Sequence, residues 1–341
     1  MNEPKKILFV NACKSRIDTF WNKEAEEKCR KYNFIMDIPA LNGDCPEDFN
    51  WAELLPDYDA IVTTWSSPVC TKEFLAAAPK VKVLGHSAGS IANVTDATTF
   101  ETDVRLTTAN PIMSEAVAEW SLLATLLAQR HSNQYASFHK GHRMVWGVSD
   151  IIWDLRKLTV GLWGLGDTTK NLLKLLAPLR LGEILVCSNH ASEEEIAALG
   201  AKKASLEELL TRSDIFHCLV GANKENLRRI GAKEFAMMKE GSVFVNAGRS
   251  KLSCPDALLE ALKSGHIRAI LDVFESEPLE EDSPLYELDN VIMTPHDAGY
   301  TGRDRFLPFV LDEFDRFFRG EPMLAEITRA RQKTMTVEAL K

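Results

Sequence analysis

An α/β architecture with two doubly wound parallel sheets is what this sequence predicts, and three observations predict it. Short apolar, β-branched runs alternate with amphipathic helical runs through almost all of the 341 residues, the pattern of parallel strands joined by crossover helices. The alternation starts afresh at residue 159. The length also suggests roughly two domains, each large enough to bury a core.

In the first unit, KILFV (6–10) reads as a strand, and a charged helical run from Glu24 to Lys31 follows. DAIVTTW (59–65) reads as a strand, TKEFLAAAP (71–79) as a helix and KVKVLGHS (80–87) as a strand. SEAVAEWSLLATLLAQRH (114–131) is the longest apolar-periodic helix, with Val117, Trp120, Ala124 and Leu127 on one face, and links the units. HSNQYASFHKGHRMVWGVSD (131–150) lacks a period and reads as a loop or an oligomer arm.

In the second unit, EILVCS (183–188), IFHCLV (215–220), SVFVNAG (242–248), RAILDVF (268–274) and VIMTP (291–295) read as buried strands. CPDALLEALKSG (254–265) reads as a helix with Ser253 as N-cap and Gly265 as its stop. The stripe Phe306, Val310, Phe314 and Phe317 reads as the buried face of a last helix, and TRARQKTMTVEALK as a solvated tail.

The net charge of −9 and pI near 5.5 argue against a nucleic-acid surface, which needs a clustered basic face. No apolar run approaches the ~18 residues of a membrane span. A cytoplasmic protein without membrane or nucleic-acid partners is expected. Seven cysteines, odd in number, scattered and never in a Cys-x-x-Cys pair, read as free thiols. His139 and His142 could suggest a metal pair, but no third ligand is in evidence, and no metal is expected.

The stretch TVGLWGLGDTTK (159–170) reads as strand, tight turn and helix. Gly164 and Gly166 let the backbone approach a pyrophosphate, and the helix start at Asp167 and Thr168 offers N–H groups and a positive dipole end. Thr169 replaces the third glycine of the dinucleotide fingerprint, which predicts a slightly splayed turn. Ligands of such sheets bind beyond the carboxyl ends of the strands. Those positions are Gly164 to Thr168, Ser188 to His190, Val220 to Ala222, Gly248 and Arg249, Glu275 and Glu277, and His296. Arg249 can grip a carboxylate bidentately, and His296 can exchange a proton near neutral pH with a carboxylate orienting its ring.

With those residues in view, the sequence resembles the D-isomer-specific 2-hydroxyacid dehydrogenases. The resemblance is carried by residues 69–94, by SEAVAEW, by TVGLWGLG, by 237–262 and by LDVFESEPLEEDSPLYELDNVIMTPHDAGYT (271–301). It implies a Rossmann cofactor domain (113–302) inserted into a flavodoxin-like substrate domain (1–112 and 303–341). It implies catalytic Arg249, Glu277 and His296, with Arg249 on the substrate carboxylate and keto oxygen, His296 as acid/base and Glu277 holding His296. Backbone N–H groups of Ala88, Gly89, Ser90 and Ile91 would bind the substrate carboxylate. Gly164, Gly166, Asp167, Thr168, Ser188, Asn189, Val220, Ala247, Gly248, Asp272, His296 and Gly299 would line the cofactor, and a homodimer would form through the cofactor domain.

Departures from the family pattern bear on selectivity. Ser90-Ile91-Ala92-Asn93 replaces the usual Gly-x-Asp-Asn, and Ser188, Asn189 and His190 stand where a ribose-binding Asp is usual. NAD and NADP both remain open, with NAD favoured because Glu193, Glu194 and Glu195 would oppose a phosphate. Asp297 stands where an apolar residue is usual and reads as pointing to solvent. The expected function is hydride transfer between a nicotinamide cofactor and a small 2-keto acid or D-2-hydroxy acid. The alternative is a nicotinamide-sensing, corepressor-like interaction protein on the same scaffold, although no peptide-docking cue is seen. A third reading gives the substrate a second anionic group, served by His86 or a nearby cation.

Overall fold

The computed structural model describes residues 3–11, 14–39, 51–65, 67–132, 136, 140–141 and 153–332. His139, His142, Cys13, Cys45 and most of the segment read as an arm lie outside the described residues, as do residues 333–341 of the tail. The chain forms two compact units, one of residues 1–114 with 300–338 and one of residues 115–299. The boundary falls inside the Asn110–Gln129 helix.

The first unit holds a parallel sheet in the order β2-β1-β3-β4-β5, formed by Lys5–Val10 (β1), Phe34–Asp37 (β2), Ala60–Thr63 (β3), Val83–His86 (β4) and Arg105–Thr108 (β5). Ile7 stands beside Ala60, Ala60 beside Val83, and Val83 beside Arg105. Successive residues of a strand face opposite ways. Ile7 and Phe9 therefore join a core with Phe20, Phe306, Val310 and Phe314, while Leu8 and Val10 join another with Leu55, Ile61, Leu84 and Leu106. Both faces are covered, as a parallel sheet requires.

The Phe306–Phe318 helix buries Phe306, Val310 and Phe314 completely, each contributing about 1.5–3 kcal/mol. It comes so close to β4 that a Cβ on Gly85 would stand 2.3 Å from Val310 Cγ1. The buried Glu313 of this helix accepts from Leu324 N, Ala325 N and Thr107 Oγ1, which ties the returning chain to β5.

The second unit holds a seven-stranded parallel sheet in the order β12-β11-β10-β9-β6-β7-β8. Its strands are Thr159–Trp163 (β6), Glu183–Cys187 (β7), Lys202–Lys203 (β8), Ile215–Cys218 (β9), Val243–Asn246 (β10), Arg268–Leu271 (β11) and Val291–Met293 (β12). The order reverses between β6 and β9, so their carboxyl ends flank the crevice where such sheets bind ligands.

One expectation about an element is corrected. The Pro255–Lys263 helix takes Cys254, not Ser253, as its N-cap, because Pro255 occupies the first turn and the Ser253 hydroxyl donates to Ser250 O. Gly265 does follow the helix with φ +74. The linking helix buries Ala118, Ser121, Thr125 and Ala128 and leaves Val117, Trp120 and Leu127 half-buried, because small side chains let it lie close to the sheet and the bulky ones pack at the rim. Strands β2, β5 and β8 had no clear sequence signal, being short, charged or hydroxyl-rich.

Candidate active site

At the switch point of the second unit, β6 is followed by Gly164, whose φ of +104 favours glycine. A Cβ there would stand 2.8 Å from Val220 Cα, so the turn packs directly on the residue that follows β9. Gly166 precedes the Asp167–Leu176 helix and has no side chain to cap it, and nothing lies within 4 Å of where its Cβ would be. Thr169 is fully buried with its Oγ1 unpartnered among the described residues. The result is an open space in front of a helix N-terminus, which suits a phosphate.

Farther along the sheet, the ends of β10, β11 and β12 carry the ionisable groups. Asn246 terminates β10 and holds the next loop, its Nδ2 donating to Arg249 O at 3.0 Å and its Oδ1 accepting from Gly248 N at 3.0 Å. Arg249 emerges half-buried from this loop and donates through one guanidinium nitrogen to Gly248 O at 2.7 Å. Ala247 and Gly248 lie half-buried beside it.

Asp272 follows β11 and is 1% exposed. Its Oδ1 accepts from Thr294 Oγ1 and Asp297 N, and its Oδ2 from Ala298 N. Burial pushes its carboxyl above the ordinary range, against the pull of those donors. The carboxylate thus fastens the loop after β12 to the end of β11. Thr294 also accepts from Trp120 Nε1 at 3.1 Å, so the linking helix supports the same loop.

His296 sits in that loop with φ +55, and its Nδ1 is 2.6 Å from Glu277 Oε2. Glu277 Oε1 accepts from Phe274 N at 3.0 Å. The carboxylate is held from its own loop and aims its second oxygen at the imidazole. Both side chains remain open to solvent, His296 at 47% and Glu277 at 37%. Asp297 is exposed and Gly299 half-buried. The structure therefore joins Glu277 to His296 directly and sets Arg249 on a neighbouring strand end. Asn246 and Thr294 are the supports that reading single residues missed; a buried amide and a hydroxyl at strand ends were their only signal.

The end of β7 lies three strands from β10. Ser188 Oγ accepts from His190 N and Ala191 N at 3.3 Å, and Asn189 and His190 are exposed. Lys203 of β8 donates to Ala191 O at 2.7 Å. This lysine was missed because it follows Ser188 by fifteen positions and arrives through strand pairing.

In the first unit, β4 ends in the loop Ser87–Ser90. Ser87 N donates to Thr63 O, and Ser90 Oγ accepts from Ala92 N. The backbone N–H groups of Ala88, Gly89, Ser90 and Ile91 have no acceptor among the described residues. His86 is fully buried with Nδ1 3.0 Å from Thr63 Oγ1, so the idea that it serves a second anionic group on a substrate is withdrawn. No metal cluster of His, Cys, Asp or Glu occurs among the described residues, and no helix among them is long and apolar enough to cross a membrane.

The family model for the D-isomer specific 2-hydroxyacid dehydrogenase, NAD binding domain, matches residues 122–298. The chain belongs to the D-isomer specific 2-hydroxyacid dehydrogenase family. It is 28% identical over 276 residues to a glyoxylate reductase of Korarchaeum cryptofilum, covering 79% of this chain and 82% of that protein. It is 31% identical over 252 residues to a D-3-phosphoglycerate dehydrogenase of Archaeoglobus fulgidus, covering 72% of this chain but 46% of that protein. A D-isomer specific 2-hydroxyacid dehydrogenase of Xanthobacter autotrophicus, solved with NADPH and MES, shares the fold with a TM-score of 0.77 at 23% identity, covering 96% of this chain and 99% of that one. As a member of this family, the chain is an NAD(P)-dependent oxidoreductase. The open space before Gly166 and the tight Gly164 turn fit such a dinucleotide.

Proposed function

We propose that this dehydrogenase reduces a small 2-keto acid to the D-2-hydroxy acid, or runs the reverse reaction. The observation that carries the proposal is the 2.6 Å pair of Glu277 Oε2 and His296 Nδ1 on the loops after β11 and β12. With Nδ1–H donated to the carboxylate, His296 Nε2 is the atom that gives a proton to the developing alkoxide. Glu277 fixes the orientation of the ring. Arg249 holds the substrate carboxylate and polarises the keto oxygen, since a guanidinium stays charged when desolvated.

The bound dinucleotide supplies or accepts the hydride. Gly164, Gly166, Asp167 and Thr168 hold its phosphates, Ser188 and Asn189 its adenosine end, and Val220, Ala247, Gly248, Asp272 and Gly299 the rest. Lys203 brings a cation to the end of β7, where Ser188 replaces a carboxylate. That favours a ribose 2′-phosphate, with the nearby Glu194 tempering the effect. NADPH is therefore accepted.

The test is oxidation of NADH and of NADPH against glyoxylate, hydroxypyruvate, pyruvate and longer or branched 2-keto acids. Turnover that disappears in His296→Ala supports the proposal, and Lys203→Ala should raise KM for NADPH several-fold while sparing NADH. Tight dinucleotide binding with no turnover on any acid would shift the assignment to a nicotinamide-sensing interaction protein.

A further inference from the structure

Arg228 lies in the loop after β9 and is not among the groups given a role above. Its backbone has φ +52, a left-handed conformation at a residue with a side chain, which persists only where the surroundings impose it. The surroundings are two other strand-end loops. Arg228 N donates to Lys251 O at 2.8 Å, and Nη1 donates to Ser253 O at 2.6 Å, both in the loop that carries Arg249. Nη1 also donates to Glu275 Oε2 at 2.8 Å, and Nη2 to Glu275 Oε1. Glu275 adjoins Phe274, whose N–H holds Glu277 Oε1, and Glu277 holds His296.

Two residues on, Ile230 N donates to Leu252 O, and Ile230 O accepts from Cys254 N. The backbone after Arg228 thus runs alongside the Arg249 loop as a short ladder. An exposed ion pair of this kind usually contributes little to stability. Here its geometry is bidentate and its partners belong to different loops, so its effect falls on their spacing.

We infer that Arg228 is a positioning residue that sets the Arg249 loop against the Glu277–His296 loops. Carboxylate binding and proton transfer then depend on one shared clamp. The inference rests on the roles proposed above for Arg249, Glu277 and His296. It adds a residue that touches neither substrate nor cofactor, and it predicts that two kinetic parameters move together when the clamp is cut.

The test compares Arg228→Gln, Arg228→Lys and Glu275→Gln with Arg212→Gln. Arg212 pairs with Glu183 at the first residue of β7, on the other side of the switch point from β10 and β11, and serves as the control for losing a surface ion pair. Each is assayed for kcat, KM, the pH profile of kcat, the imidazole NMR signals of His296 and thermal midpoint. Arg228→Gln and Glu275→Gln should both raise KM for the keto acid and lower kcat, with kcat/KM falling about 10- to 100-fold as expected of a misplaced site. The alkaline limb of the pH profile for keto-acid reduction and the His296 signals should move as well. Arg228→Lys should recover part of the loss, because a lysine keeps the charge but not the fork.

Changes no larger than those of Arg212→Gln, or changes that track only the thermal midpoint, overturn the inference. Should Arg228→Gln not fold, Glu275→Gln decides alone. Loss of activity in Arg249→Gln and His296→Ala with full activity in Arg228→Gln and Glu275→Gln defeats this inference and leaves the proposed function standing. Full activity in Arg249→Gln and His296→Ala defeats both.

Discussion

The carboxyl edges of the two sheets, alike in topology, are built from opposite chemistry. In the second unit the strand ends project ionisable side chains, with His296 and Glu277 reached by solvent and Arg249 half-buried. In the first unit the strand ends are polar but closed. Asn11, Thr63, Thr64, His86, Ser87 and Thr108 are all fully buried. Asn11 Nδ2 bonds Thr64 Oγ1, Thr63 Oγ1 meets His86 Nδ1, and Thr64 N donates to Ser67 Oγ. Hydroxyl, amide and imidazole groups pair there side chain to side chain, and the backbone N–H groups of Ala88 to Ile91 have no acceptor among the described residues. A parallel sheet directs function to its carboxyl ends in either case; whether the side chains or the backbone carry it depends on which groups have already found partners.

The sharpest way to break this contrast is to remove the proton carrier. His296→Ala should lower kcat by about 10²- to 10⁴-fold and flatten its pH dependence, measured by steady-state kinetics; an intact bell-shaped profile would assign the proton to another group. Arg249→Gln should come next, with kcat/KM for the keto acid down about 100-fold, the loss expected of charge-assisted bonds to a carboxylate. Unchanged kinetics would remove Arg249 from the site.

On the closed edge, Thr64→Val should act on stability and leave kcat alone. It removes the buried hydrogen bond from Asn11 Nδ2 to Thr64 Oγ1, a cost of about 0.5–1.5 kcal/mol, readable by denaturant unfolding. A fall in kcat at full stability would show that the first unit's side chains also take part in the chemistry. A separate effect, on the pH dependence of stability, concerns His217 of β9, which is wholly buried with Nε2 at 2.9 Å from Thr125 Oγ1. Burial pushes its pKa down to about 3, so the folded chain keeps it neutral. The unfolded chain takes up a proton below about pH 6.5, and stability falls from there toward pH 3 by up to ~1.4 kcal/mol per unit. His217→Gln should flatten the dependence of the thermal midpoint between pH 7 and 5 by that one proton.

The strands with unbroken apolar runs, β1, β3, β4 and the main strands of the second sheet, were legible in the sequence because a strand buried on both faces can be written only with such residues. The glycine turn was legible for a similar reason. At Gly164 a side chain would meet Val220, and the positive φ is one that glycine adopts without cost. Residue types at strand ends also named Arg249, Glu277 and His296 as the groups to watch.

Pairing across loops was decided by tertiary structure alone. That Asp272 would fasten the 297–298 backbone, that Asn246 would hold Arg249 O, and that Arg228 would reach Glu275 depends on which strands become neighbours. Neighbours in this sheet lie tens of residues apart in the chain, and hydrogen bonding to a loop backbone leaves no mark on the identity of the residue that accepts it. The same limit hid Lys203 beside Ala191 and turned His86 from a candidate for a second anionic group into a buried partner of Thr63. Composition and spacing thus determined which chemistry the chain could hold, because propensity and burial act on each residue locally. The fold decided which of those groups meet, because hydrogen-bond geometry is set between residues that only the sheet order brings together.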